Sequence, residues 1–199
     1  MRIERVVNYI TTLGPGSRLC IWVNGCSRKC VGCVSPNLQN VDESTEVDIY
    51  ECLYAYNLEL IDGVTISGGE PFEQAEELYR LVRYIRRRGI RDILVYTGYT
   101  YDQLKDMQSA AVDGVLEAIS VLIDGPYVEE LDFGVSNIKG SDNQEIHYLD
   151  PSVRKKYEAY IKNERNVSEM ILANVFLGIG IPCKSYVQEF NQNGNKSKN

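Results

Sequence analysis

Short β-like runs alternate with amphipathic helical runs over most of the first 150 residues, and this alternation most constrains the fold. Arg18 to Gly25, Gly63 to Gly69, Asp92 to Gly98 and Ala118 to Gly125 read as strands. Thr45 to Leu60 reads as a helix between the first two, with Thr45 and Asp48 spaced as a capping box. Phe72 to Arg88 carries Leu78, Leu81, Val82 and Ile85 on one helical face, and Gly89 follows as a helix-ending glycine. Tyr101 to Gln108 reads as a short helix. Strand–helix alternation of this kind predicts an α/β fold with a parallel sheet. A closed eight-stranded barrel takes roughly 250 residues. With 199 residues, an open, partial βα (TIM-like) barrel is expected.

In parallel α/β folds ligands gather at the C-terminal strand edge. Three of the strands end there in glycine turns carrying polar residues: Ser67-Gly68-Gly69-Glu70, Thr97-Gly98 and Asp124-Gly125. The remaining strand runs into Cys26-Ser27-Arg28-Lys29-Cys30-Val31-Gly32-Cys33. Three thiols within eight residues can wrap one compact metal centre. An iron–sulfur cluster is normally held by four thiolates. Three leave one iron with an open coordination position, of the kind catalytic metal sites keep. The alternative is structural zinc with Cys20, Cys52 or Cys183 as the fourth ligand, although no second Cys-x-x-Cys knuckle is present. Otherwise those three cysteines read as packed thiols. Glu70, at the end of a Gly-Gly turn, is placed to accept hydrogen bonds from a ligand ammonium.

With these segments in order, the chain resembles the radical S-adenosylmethionine (SAM) superfamily, marked by Cys-x-x-x-Cys-x-x-Cys and Gly-Gly-Glu. It is most similar within that superfamily to the activating proteins of anaerobic (class III) ribonucleoside-triphosphate reductases. The likeness runs through Gly14-Pro15-Gly16-Ser17-Arg18, Val23-Asn24-Gly25-Cys26, Ser67 to Pro71, Val95 to Tyr99, Leu122 to Tyr127 and Gly140 to Gln144. Gly32 matches the activase subgroup, whereas Val34-Ser35-Pro36-Asn37 departs from its usual aromatic or His followed by Asn.

The resemblance implies a radical SAM domain over residues 1–150, with a 4Fe–4S cluster on Cys26, Cys30 and Cys33. SAM contacts are then expected from Gly32, Val34, Gly68, Gly69, Glu70, Thr97 and Asp124. The implied reaction is reductive SAM cleavage to a 5′-deoxyadenosyl radical, which makes a glycyl radical on the partner reductase. Flavodoxin or ferredoxin is the implied electron donor. Alternatives are activation of another glycyl radical enzyme, modification of a peptide or small molecule, or a zinc-binding interaction module.

The net charge of -7 argues against nonspecific nucleic-acid binding. No run approaches the roughly 18 apolar residues of a membrane span. Met1 to Ile10 lacks the apolar core of a signal peptide, so no membrane partner and a cytoplasmic location are expected. Arg80, Arg83, Arg86, Arg87 and Arg88 form a basic helix face, with Glu76 and Arg80 spaced for an i,i+4 pair. Residues 151–190 are expected to form a helical extension, with helices at Pro151 to Asn163 and Ser168 to Leu177. Residues 191–199, rich in Asn and Lys, are expected to be disordered.

Overall fold

A computed structural model describes residues 1–41, 46–172 and 175–182. Its centre is a six-stranded sheet in sequential order, β1 (Ile3–Ile10), β2 (Arg18–Val23), β3 (Gly63–Gly68), β4 (Ile93–Tyr96), β5 (Val121–Asp124) and β6 (Glu145–Tyr148). The pairs β2–β3, β3–β4 and β4–β5 are parallel. Both edge pairs, β1–β2 and β5–β6, are antiparallel, which corrects the expectation of a uniformly parallel sheet.

Side chains on a strand alternate between faces, and the two faces here meet different partners. Leu19, Ile21, Val23, Val64, Ile66, Ile93, Val95 and Leu122 share one core with α1 (Ile49–Tyr54), α2 (Ala75–Arg87) and α4 (Ala110–Ala118). On the opposite face Cys20 joins Val7 and Ile10, while Leu94, Val121 and Ile123 pack with Ile138 and Tyr157. Burial on both faces explains why the central strands are continuous apolar runs rather than alternating ones.

The helical expectation for Thr45 to Leu60 is shortened: α1 begins at Ile49, and Asp48 is its N-cap, accepting from the Tyr50 and Glu51 amides. Thr45 lies outside the described residues. The Phe72 helix is divided into a 3₁₀ turn, Pro71–Gln74, and then α2, which Gly89 ends with φ of 92°. Among the described residues Glu76 forms no ion pair with Arg80. Instead Arg83 leans on the Tyr79 ring and Arg88 bonds the Tyr84 hydroxyl. The helix α3 (Tyr101–Asp106) carries a capping box between Thr100 and Gln103.

Beyond β6, α5 (Arg154–Ile161) is helical as expected. The second expected helix is not: Ser168 to Leu177 falls in a hairpin of β7 (Val167–Leu172) and β8 (Val175–Gly180). An apolar run this short fits either state, and pairing decides it. Leu177, Ile179 and Ile181 bury against Val7, Ile10, Leu13 and Cys20, and the Thr12 hydroxyl donates to the Ile179 carbonyl at 2.7 Å. Arg165 clasps this addition to the segment between β5 and β6 through a buried ion pair with Asp132 at 2.8 Å and through bonds to the Ser136, Lys139 and Gly140 carbonyls. Residues 191–199 and Cys183 lie outside the described residues. No described helix is long and apolar enough to cross a membrane.

Candidate active site

The C-terminal ends of the parallel strands border a cavity of about 280 Å³. Cys26, Cys30 and Cys33 line it together with Val34, Gly68, Gly69, Glu70 and Thr97. Leu13, Trp22, Tyr96, Ile179 and Ile181 give it apolar walls. The sequence therefore brings eight of its ten expected site residues to one place.

The cysteine loop is anchored by backbone. Gly25 donates to the Leu38 carbonyl at 2.8 Å and accepts from the Glu70 amide at 2.9 Å. The Ser27 amide donates to Glu73 Oε1 at 2.8 Å, and the Ser27 hydroxyl joins it there. Gly69 donates to the Val23 carbonyl at 2.7 Å. The glycine pair also has a steric reason within the chain. A Cβ on Gly68 would lie 2.4 Å from the Val23 carbonyl oxygen, and one on Gly69 would lie 2.2 Å from that of Gly25. No real Cβ tolerates such contacts, so these glycines let the β3 turn sit directly on the chain entering the cysteine loop.

Glu70 is buried, with Oε1 accepting from the Phe72 amide at 3.0 Å and the Thr97 hydroxyl at 2.8 Å. Oε2 accepts from the Gly98 amide at 2.7 Å. A carboxylate offers roughly four lone-pair sites, so Oε2 keeps one for a ligand. Burial pushes the Glu70 carboxyl up to about 7, against the downward pull of the bonds from Gly98, Phe72 and Thr97. A folded acid with a raised pKa holds its proton where the unfolded chain has lost it. Its contribution to stability therefore falls as pH rises between about 4.5 and about 7. Glu70→Gln should remove this drop. Relative to wild type, the variant should gain up to roughly 3 kcal/mol across that window in urea unfolding followed at several pH values. An unchanged pH profile would refute it.

Two expected site residues lie elsewhere. Asp124 is outside the cavity lining: its carboxylate accepts from the Tyr101 and Glu145 amides and lies 3.1 Å from His147 Nε2, joining β5, α3 and β6. His147 stacks on Tyr101, a structural role. Gly32 also misses the lining. A Cβ there would meet Glu129 at 2.8 Å, so it sits where the cysteine loop and the 129–131 turn touch. Burial raises the Cys26 thiol, with backbone bonds from Arg28 and Lys29 pulling the other way. Burial pushes Cys20 up to about 12 and raises Cys52, as expected of packed thiols. Sequence reasoning passed over Arg28, which lines the cavity from within the cysteine loop.

The three thiols open on one cavity. Among the described residues no three His, Cys, Asp or Glu side chains are grouped as a single metal ion requires. The family of 4Fe-4S single cluster domains matches residues 12–147, which places the chain in the class of iron–sulfur proteins. It belongs to the family of anaerobic ribonucleoside-triphosphate reductase-activating proteins and is an enzyme. It is 32% identical over 145 residues to the member from Escherichia coli strain K12, covering 68% of this chain and 91% of that one. It is 30% identical over 152 residues to the member from Enterobacteria phage T4, covering 73% and 93%. The member from Haemophilus influenzae is 33% identical over 143 residues, covering 67% and 89%. The α5 helix and the β7–β8 hairpin lie beyond the segment matched as a 4Fe-4S domain.

Proposed function

We propose that this enzyme is a radical SAM activase that generates a glycyl radical on an anaerobic ribonucleoside-triphosphate reductase. The observation that carries this reading is the meeting of Cys26, Cys30, Cys33 and Glu70 around one cavity at the strand ends. The open sheet of residues 1–150 then serves as the partial βα barrel of this superfamily. When bound, a cluster reduced by an electron donor would supply the one electron that cleaves the C5′–S bond of SAM to methionine and a 5′-deoxyadenosyl radical, which would take a hydrogen atom from a partner glycine Cα.

The chain's own residues position and shield. Cys26, Cys30 and Cys33 would hold three irons of such a cluster and leave the fourth open to SAM. The match to 4Fe-4S single cluster domains favours an iron–sulfur cluster over the zinc-module alternative. The spare lone pair of Glu70 Oε2 would accept from the SAM amino group, and Thr97 fixes the Glu70 carboxylate through Oε1. Gly68 and Gly69 hold the turn against the cysteine loop, and Val34 borders the cavity. Trp22, Tyr96, Leu13, Ile179 and Ile181 exclude water from a site where a carbon radical must survive. Gly32 and Asp124 act one step back, by fixing loop and strand positions.

A macromolecular partner is supported by exposed apolar side chains near the site. Val31 and Val34 stand out of the cysteine loop, as do Phe133 and Val135 from the segment following Glu129. Exposed Arg80, Arg83, Arg87 and Arg88 on α2 suit an acidic electron donor such as flavodoxin or ferredoxin. The test is anaerobic reconstitution with iron and sulfide, then dithionite, SAM and the reductase. Deoxyadenosine together with a glycyl radical signal on the reductase is expected. A colourless protein that cleaves no SAM would overturn the reading. Deoxyadenosine with a radical only on a different glycyl radical enzyme would reassign the partner.

A further inference from the structure

Arg165 lies between α5 and β7, beyond the segment matched as a 4Fe-4S domain, and its side chain is only 6% exposed. A guanidinium carries its N–H donors in a fixed planar fork. Here Nε donates to the Ser136 carbonyl at 2.7 Å, and Nη2 donates to those of Lys139 at 3.0 Å and Gly140 at 3.3 Å. Nη1 donates to the Pro182 carbonyl at 3.3 Å and stands 2.8 Å from Asp132 Oδ1. With its donors so taken up, the side chain ties together three stretches of its own chain: residues 132–140, the entry to β7 and the exit from β8.

The 132–140 stretch lies between the 3₁₀ turn Glu129–Leu131 and β6 and contains no helix or strand of its own. Its shape therefore depends on side-chain bonds rather than on a backbone ladder. Inward, Gly140 lines the cavity beside Tyr127, whose hydroxyl donates to Asp132 Oδ2 at 3.2 Å. Outward, Phe133 is 65% and Val135 74% exposed. Both stand between Asp132 and Ser136, two of the residues that Arg165 grips.

We infer that Arg165 is a positioning residue that pre-organises the 132–140 stretch for docking of the reductase, by latching it to the C-terminal hairpin. The latch follows from the contacts of Arg165; the identity of the partner rests on the function proposed above. A loop ordered before association spares the complex that entropy cost. The opposing account is that Arg165 merely fills space under a hairpin already held by Leu177, Ile179 and Ile181.

Two measurements on Arg165→Met and Arg165→Lys separate these accounts. Met keeps an apolar stem and no donor, whereas Lys keeps the charge on a single ammonium that cannot match the fork. The first measurement is amide hydrogen exchange on the full chain, which needs no cluster. Arg165→Met should speed exchange across 132–140 at least about tenfold, the effect of losing one charge-assisted bond. Exchange in β2 to β5 should stay within about twofold, and Arg165→Lys should fall between Met and wild type.

The second measurement is glycyl radical formation by the reconstituted enzyme, titrated with the reductase, with iron content measured in each variant. Arg165→Met should raise the KM for the reductase roughly tenfold and leave kcat within about threefold, because a saturating partner orders the stretch itself. A merely destabilised enzyme would lose kcat at unchanged KM. That result, or unchanged exchange across 132–140, would overturn the inference. Should Arg165→Met fail to fold, Arg165→Lys carries both measurements, with smaller shifts in the same directions expected and no shift overturning the inference. A loaded wild type that forms no radical on the reductase would sink the functional reading and the docking role with it, while the exchange result would still decide the latch.

Discussion

Cys30→Ala should abolish deoxyadenosine formation, with a loss of at least about a thousandfold, while leaving the fold nearly unchanged. Cys30 is half-buried at the cavity, and within the loop only one turn bond, Cys33 N to the Cys30 carbonyl at 3.3 Å, ties its backbone. Truncation to Ala removes no core contact, and exposed or half-exposed changes of this kind typically alter stability by under about 0.5 kcal/mol. The chemistry has no such margin, because two thiolates leave two irons without protein ligands. Iron and sulfide analysis, visible absorption and product quantitation after dithionite reduction should all fall together, with the far-ultraviolet circular dichroism preserved. Retention of SAM cleavage would remove Cys30 from the ligand set. Collapse of the circular dichroism would mean that the loop is structural.

The second large effect lies at the opposite end of the strands. Arg18 is fully buried at the start of β2, donating to the Thr65 hydroxyl, the Pro15 and Val64 carbonyls, and Asp92 Oδ1 at 3.1 Å. Tyr157 and Lys156 also donate to Asp92, tying α5 to the sheet. Burial alone would raise the Asp92 carboxyl, but the Arg18 charge and these bonds hold it below its usual value. Asp92→Asn strands the Arg18 charge and should cost about 3–5 kcal/mol. For a chain of this size that is roughly 10 °C in Tm. Combining it with Arg18→Met should restore much of the loss, because the uncompensated charge is then gone. Thermal unfolding of the single and double variants tests this, and a double variant less stable than the single one would contradict it.

The parallel strands were legible because each is a buried apolar run with a glycine turn at its end, and that pattern survives in any environment. The edges were not. In β1, Glu4 and Arg5 interrupt the run and Tyr9 takes a positive φ, so only pairing with β2 makes it a strand. In α4, Gly114 weakens the helical signal; it is there because a Cβ would strike the Tyr79 ring at 2.6 Å. The hairpin reads as helix from its sequence because its side chains bury against a sheet face that local periodicity cannot reveal. The gathering of the cysteines and the Gly-Gly-Glu turn around one cavity was readable from spacing. The place of Asp124 outside the cavity lining was not, since the same strand-end position serves either a ligand or a neighbouring helix amide. Arg28 carries no signature of its place at the cavity, because an arginine in a loop has none until its surroundings are known.

The wall that β8 gives the cavity also has a timing. Residues through Glu70 already hold the three thiols and the Gly-Gly turn, whereas Ile179 and Ile181 arrive about 110 residues later. At translation speeds of roughly 5–20 residues per second that is an interval on the order of ten seconds. During it Val7, Ile10, Leu13 and Cys20 lack the side chains that later cover them. The cavity is thus among the last parts of the described chain to be finished on the ribosome, although the three cysteines that line it are among the first to emerge.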